Sequence, residues 1–192
     1  HDQIRPCIRC NQTCQVRDAR NPIVTCIAEP TSGHESQDPD WYQPASPPQH
    51  ITVIGAGVAG LETARVASLR GHSVTIIEKS SGIGGVAAIA GPGQQLVSWL
   101  QSEIERLGVQ VELNREFDSI SLPNSQVVIQ ATGAQRGVSE YEITSGTEVL
   151  DIAEIRRGNS ALPETGVVVI LDPIGGPIFW ARNAERNRYS RI

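Results

Sequence analysis

From His50 onward, short apolar runs alternate with stretches that are apolar on one side only. Ile51 to Ile54 is a β-branched run of strand length, followed at once by Gly55-Ala56-Gly57-Val58-Ala59-Gly60. Val58, Leu61, Ala64 and Leu69 then recur with a helical period, and Gly71 is placed to end that helix. Ser73 to Ile77 predicts a second strand, closed by Glu78 and Lys79. Gln94 to Gly108 sets Leu96, Leu100, Ile104 and Leu107 on one helical face, with Trp99 as packing and Gly108 as the stop. Val109 to Leu113 predicts a third strand and Val127 to Gln130 a buried one running into Ala131-Thr132-Gly133. Val149 to Gly158 reads as a short helix. Strands alternating with helices call for an α/β fold, a Rossmann-like, doubly wound parallel sheet.

The glycine turn between the first strand and the first helix gives this fold a candidate ligand. Gly55 permits the tight turn, Gly57 lets a pyrophosphate approach the backbone, and Gly60 lets the helix pack on the strand. Phosphates would then sit at the positive end of the helix dipole. Glu78 follows Gly60 by 18 residues, where an acid accepts hydrogen bonds from an adenosine ribose and disfavours a 2′-phosphate. Glycines alone would suit any tight turn. The strand before, the helix after and the acid at this distance favour a nucleotide.

All four cysteines fall between residues 7 and 26, spaced C-x2-C-x3-C-x11-C. Disulfides suit small secreted domains without a core of their own. This chain has 192 residues and 39% hydrophobic composition, enough for one ordinary domain with a small appendage. Structural zinc also takes thiolates, usually as paired knuckles. Three cysteines in one short loop with a distant fourth suit a cubane iron–sulfur cluster. Cluster, zinc and disulfides all stay open on spacing alone.

Taken together, "RPCIRCNQTC" with its later cysteine, the linker after it and the "VIGAGVAGLETA", "GG" and "ATG" elements resemble the C-terminal half of a known family. This is the 2,4-dienoyl-CoA reductase and trimethylamine dehydrogenase family, old-yellow-enzyme-related iron–sulfur flavoproteins, and the resemblance runs from residue 4 to about 178. It implies that Cys7, Cys10, Cys14 and Cys26 ligate a [4Fe-4S] cluster. It implies an FAD site, or an ADP site in its place, formed by Gly55, Ala56, Gly57, Gly60, Glu78, Lys79, Gly85, Val111, Ala131, Thr132 and Gly133. Gly84-Gly85 would bring a second backbone turn to the dinucleotide, and Val111 would lie near the adenine. The resemblance further implies an FMN-binding TIM barrel, as a domain or a separate subunit, and NAD(P)H at a second dinucleotide domain. Single electrons would pass between the two flavins through the cluster. The barrel holds the family's substrate residues, so none is assigned to this chain.

The chain opens at His1, shortly before the cysteine loop, and contains no methionine. That reads as a fragment, a processed piece or one chain of a split enzyme. The organisation expected is a cluster-binding loop region over 1–33, a proline- and acid-rich linker over 34–49, the dinucleotide domain over 50–164, and the start of a second unit over 165–192. In that last part Val167 to Leu171 predicts a strand and Gly175-Gly176 a turn, before a tail with Arg182, Arg186, Arg188 and Arg191. A net charge of −5 argues against nucleic acid, so the tail reads as a solvated face. No apolar run approaches a membrane span, and thiols held in a cluster point to the cytoplasm. Trp41 and Tyr42 read as anchors for the linker, and His1, His34, His50 and His72 as surface residues.

Overall fold

Ile51, Thr52 and Val53 are buried side by side, which a strand covered on both faces requires. They form β1 (His50–Ile54), the first strand of a parallel sheet. The computed structural model describes residues 4–14, 23–37, 40, 43–118, 127–134 and 146–169. β2 (Ser73–Ile77) pairs with one side of β1, in register from His50 with Ser73 to Ile54 with Ile77. β3 (Gln110–Glu112) extends the sheet beyond β2, and β4 (Val127–Gln130) lies on the other side of β1. The order β3-β2-β1-β4 means the chain fills one side of β1 before crossing to the other. Ligands of open parallel sheets bind at the strand C-termini where such a reversal occurs.

Helix α1 (Val58–Leu69) follows β1 directly and packs on β1 and β2. Gly71, at φ 89°, ends it in the left-handed region that glycine tolerates. Helix α2 (Gly85–Ile89) is one short turn and leads into α3 (Gly93–Arg106), which packs against α1. Leu61, Leu100, Ile104, Ile76 and Val53 are essentially inaccessible and form the centre of the core. Burying each of these leucines contributes about 2 kcal/mol.

Helix α4 (Ile152–Arg157) is capped at its start by Asp151, which accepts the Ala153 N–H at 2.7 Å, and at its end by Gly158 at φ 80°. The linker is strapped to the end of α1, because Ala45 N–H donates to Arg70 O at 2.8 Å and Arg70 Nε donates to Gln43 O at 3.2 Å. Among the described residues, no helix is long and apolar enough to cross a membrane.

Two expectations need correction. The strand ending at Gln130 is half-exposed rather than buried, with Val128 40% accessible. It is one of the two edge strands of the described sheet, so its flank away from β1 has no neighbouring strand there. His50 and His72 are half-buried and bonded rather than free at the surface: the Gln49 N–H donates to His72 Nδ1 at 3.1 Å, and His50 Nδ1 lies 3.0 Å from Ser73 Oγ. The chain divides into two compact units, residues 1–160 and 161–192. In the second, the described residues 161–169 hold no strand and Val167 is 91% exposed. Residues 170–192 and the anchors Trp41 and Tyr42 lie outside the described residues.

Candidate functional site

The turn after β1 is built so that a ligand can reach the backbone. Gly55 has φ 102°, and a Cβ there would meet Ala131 O at 2.4 Å. A Cβ on Gly60 would come within 1.9 Å of Gly55 O, so this glycine lets α1 close down on the turn. Gly57 is different: a Cβ there would meet nothing within 4 Å. Its missing side chain serves no contact inside the protein, and the space above it is free for a ligand.

Helix α1 begins at Gly57 with no capping side chain and no acid in its first turn. The leading N–H groups of a helix carry partial positive charge and seek an acceptor. An uncapped start over an open glycine is suited to a phosphate. Gly84 and Gly85 run alongside, with Gly84 bridged to Gly57 and donating its N–H to Ala56 O at 2.7 Å. Gly84 could not carry a side chain, since its Cβ would stand 2.5 Å from Val97 Cγ1.

Glu78 closes β2 beside this turn. Its carboxylate accepts the Ala56 N–H at 2.7 Å and the Ser80 N–H at 2.8 Å. Burial pushes this carboxyl up, but those N–H donors outweigh it and hold its pKa below the ordinary value. With the Ser80 hydroxyl also bonded to this carboxylate, part of its roughly four lone-pair directions stays available to hydroxyl donors.

The sheet thus brings Gly55, Ala56, Gly57, Gly60, Glu78, Gly85 and Ala131 together at one end. Ala131 N–H donates to Ile54 O at 2.8 Å, which fixes β4 to the end of β1. Lys79, Thr132 and Gly133 are exposed, and Thr132 Oγ1 accepts from Gln130 Nε2 at 3.2 Å. Val111 sits two strands from β1, opposite Ile76, and with Ser81, Gly82 and Ile83 lines a groove of about 470 Å³ against α3. The residues fit a dinucleotide: there is an open glycine, an uncapped helix start and an acid with spare acceptors.

All four cysteines are free thiols, Cys7 and Cys14 exposed, Cys10 and Cys26 half-buried. Among the described residues, no three histidine, cysteine or acidic side chains are gathered as a metal site. The donor set itself fits a thiolate-bound metal. Arg9, at φ 57°, donates its backbone N–H to Cys7 Sγ at 3.3 Å. Thr13 Oγ1 donates to Thr25 O at 3.0 Å, holding the neighbours of Cys14 and Cys26 against each other.

Sequence reasoning missed the cluster that joins this loop to the sheet. Arg5, its side chain 9% exposed, donates to Ala28 O at 2.7 Å and to both oxygens of Glu62 at 2.7 and 2.8 Å. Arg65 binds the same carboxylate at 2.9 and 3.0 Å. The Arg5 and Arg65 guanidiniums lie 4.6 and 5.5 Å from the Trp99 ring centre. Burial pushes the Glu62 carboxyl up, yet the bonds from Arg65 and Arg5 leave its pKa below the ordinary value. The only advance signal was Glu62 and Arg65 at i and i+3 on α1.

A family profile described as pyridine nucleotide-disulphide oxidoreductase matches residues 24–149. A metal reductase of Desulforamulus reducens is 35% identical over 180 residues, covering 88% of this chain and 27% of the relative. A solved 2-naphthoyl-CoA reductase in complex with 2-naphthoyl-CoA matches with a TM-score of 0.76 and 30% identity, over 84% of this chain and 26% of that one. Histamine dehydrogenase from Rhizobium sp. 4-9 matches with a TM-score of 0.67 and 26% identity, over 83% of this chain and 26% of that one. The chain spans about a quarter of the length of these relatives.

Proposed function

This chain belongs to the pyridine nucleotide-disulphide oxidoreductase family, among the old-yellow-enzyme-related 2,4-dienoyl-CoA reductases and trimethylamine dehydrogenases, and we propose that it is the electron-transfer portion of an iron–sulfur flavoprotein oxidoreductase. In this reading residues 1–33 hold a [4Fe-4S] cluster through Cys7, Cys10, Cys14 and Cys26. Residues 34–49 are the linker, and residues 50–164 hold FAD, or ADP in the same site. Residues 165–192 begin a second dinucleotide unit. The partner is an FMN-binding barrel, in the same polypeptide or a larger complex, with NAD(P)H as the external donor and the cytoplasm as the compartment.

The observation that carries the reading is that both features share one helix. Helix α1 starts at the open Gly57, and one turn further on its Glu62 grips Arg5, two residues ahead of the first cysteine. Gly57 and the first N–H groups of α1 would bind the pyrophosphate, and Glu78 would accept the ribose hydroxyls. The Arg9 N–H donates to Cys7 Sγ and would orient that ligand. When bound, a thiolate-held cluster supplies one-electron steps between carriers that cannot exchange a hydride directly.

An anaerobic visible spectrum tests this, with iron, zinc, acid-labile sulfide and extracted dinucleotide assayed on the same sample. The expected result is broad absorbance near 400 nm with about four irons and four sulfides per chain. A colourless protein with one zinc would overturn it, leaving a nucleotide-binding module with a structural metal loop.

A further inference from the structure

We propose that Arg5 is a positioning residue: one side chain clasps both arms of the cysteine loop together and docks the closed loop on the helix that starts at the dinucleotide turn. Its consequence for electron transfer rests on the cluster reading above; its geometry does not.

Arg5 precedes Cys7 by two residues, and the carbonyl it holds, Ala28 O at 2.7 Å, follows Cys26 by two. Its Nε lies 3.2 Å from Glu29 Oε2, an ion pair without hydrogen-bond alignment. These contacts tie the chain entering the loop to the chain leaving it. The rest of the guanidinium faces the sheet domain, with Nη2 on both Glu62 oxygens and the plane over Trp99 of α3. Arg65 donates to the same two oxygens, so both guanidiniums hold the one acceptor.

The local charges balance, Arg5 and Arg65 against Glu29 and Glu62, which is what lets such a group stay buried. A planar fork with donors on several edges can span this junction; an ammonium cannot. Ile8, Cys26 and Ala28 pack on the core, while Ile4, Val24 and Ile27 are exposed. Among the described residues, the Thr13 to Thr25 bond also joins the two arms. Arg5 thereby contributes directly to the placement of the thiols relative to the Gly57 turn.

The test compares the full chain with Arg5→Met and Arg5→Lys by hydrogen–deuterium exchange, before and after anaerobic reconstitution with iron and sulfide. In Arg5→Met, amides of residues 7–14 and 23–28 are expected to exchange about tenfold faster, with β1 and α1 unchanged, because local opening is separable from global unfolding. Arg5→Lys should fall between, since it keeps the charge but reaches fewer partners. In the reconstituted protein the electron paramagnetic resonance line of the reduced centre should broaden in Arg5→Met and partly recover in Arg5→Lys. A loss of overall stability alone would not produce that signature.

Exchange within about twofold of wild type in both segments would overturn the proposal. So would a rise shared equally by β1 and α1, which would make Arg5 a general stabiliser. If Arg5→Met fails to fold, Arg5→Lys is judged by the same segments. If the wild-type chain takes up no iron and sulfide, the cluster reading fails, and the exchange pattern still decides whether Arg5 is the clasp.

Discussion

The carboxylate of Glu78 accepts the backbone N–H of Ala56 at 2.7 Å, so the acid that ends β2 holds the middle of the glycine turn that ends β1. Replacing Glu78 by alanine strips the acceptor from two amides, and is expected to cost about 1–3 kcal/mol. The acid's folded pKa is depressed, so its contribution is fully present above the unfolded value and is lost as pH falls through the folded one. Urea unfolding should therefore show a constant gap between wild type and Glu78→Ala above about pH 5 that closes below about pH 4. A gap that widened on acidification would contradict this.

Gly57 and Gly60 separate ligand binding from folding. At Gly57 the backbone is extended and a Cβ meets nothing, so Gly57→Ala should change stability by less than about 1 kcal/mol. Its methyl stands where a pyrophosphate would approach, so binding of ADP, measured by calorimetry, should fall about tenfold or more. Gly60→Ala puts a Cβ 1.9 Å from a backbone carbonyl and should cost about 2–3 kcal/mol before any ligand is added. Equal losses of stability in the two variants would mean that Gly57 is structural.

The path from β1 through α1 to β2 was legible in the sequence almost to the residue, because each boundary has a local cause. Ile54 meets Gly55, and Leu69 is soon followed by Gly71. The third strand shortened to Gln110–Glu112, since only those residues pair with β2. The exposure of Val128 was not legible, because an apolar run reads the same at the centre of a sheet and at its side. Nor was the Arg5 clasp: its partners Ala28 and Glu62 are 23 and 57 residues away, and no periodicity links them. Gly84 illustrates an intermediate case. The doublet was visible, but what forbids a side chain there is Val97, on a helix that only the fold brings near. The cysteine spacing names a donor chemistry without naming its occupant.

Glu62 is shared by two guanidiniums that have little access to solvent. Glu62→Gln removes the carboxylate that both guanidiniums share, while Arg5 keeps its ion pair with Glu29, and is expected to cost about 3 kcal/mol in urea unfolding. The depressed pKa gives the same sign as at Glu78: the stabilisation is present above the unfolded value and lost as pH falls through the folded one. Because Arg5 and Glu62 touch, the Glu62→Gln, Arg5→Met double variant should lose less than the sum of the single losses. Strict additivity would show that the two side chains do not act as one unit.

Serine at each cysteine in turn separates metal ligation from folding. Cys7 and Cys14 are exposed, so serine there should leave the unliganded chain within about 0.5 kcal/mol of wild type. Cys26 packs against the core and should cost about 1 kcal/mol more. If all four thiolates hold one centre, iron and sulfide after reconstitution should fall below half of wild type in every variant, whatever the small differences in urea midpoint. The Cys26→Ser variant is the most informative, because its ligand comes from the arm that Arg5 ties back. Loss of iron and sulfide at Cys7, Cys10 and Cys14 but not at Cys26 would mean that three thiolates suffice, and that closing the loop serves packing rather than ligation.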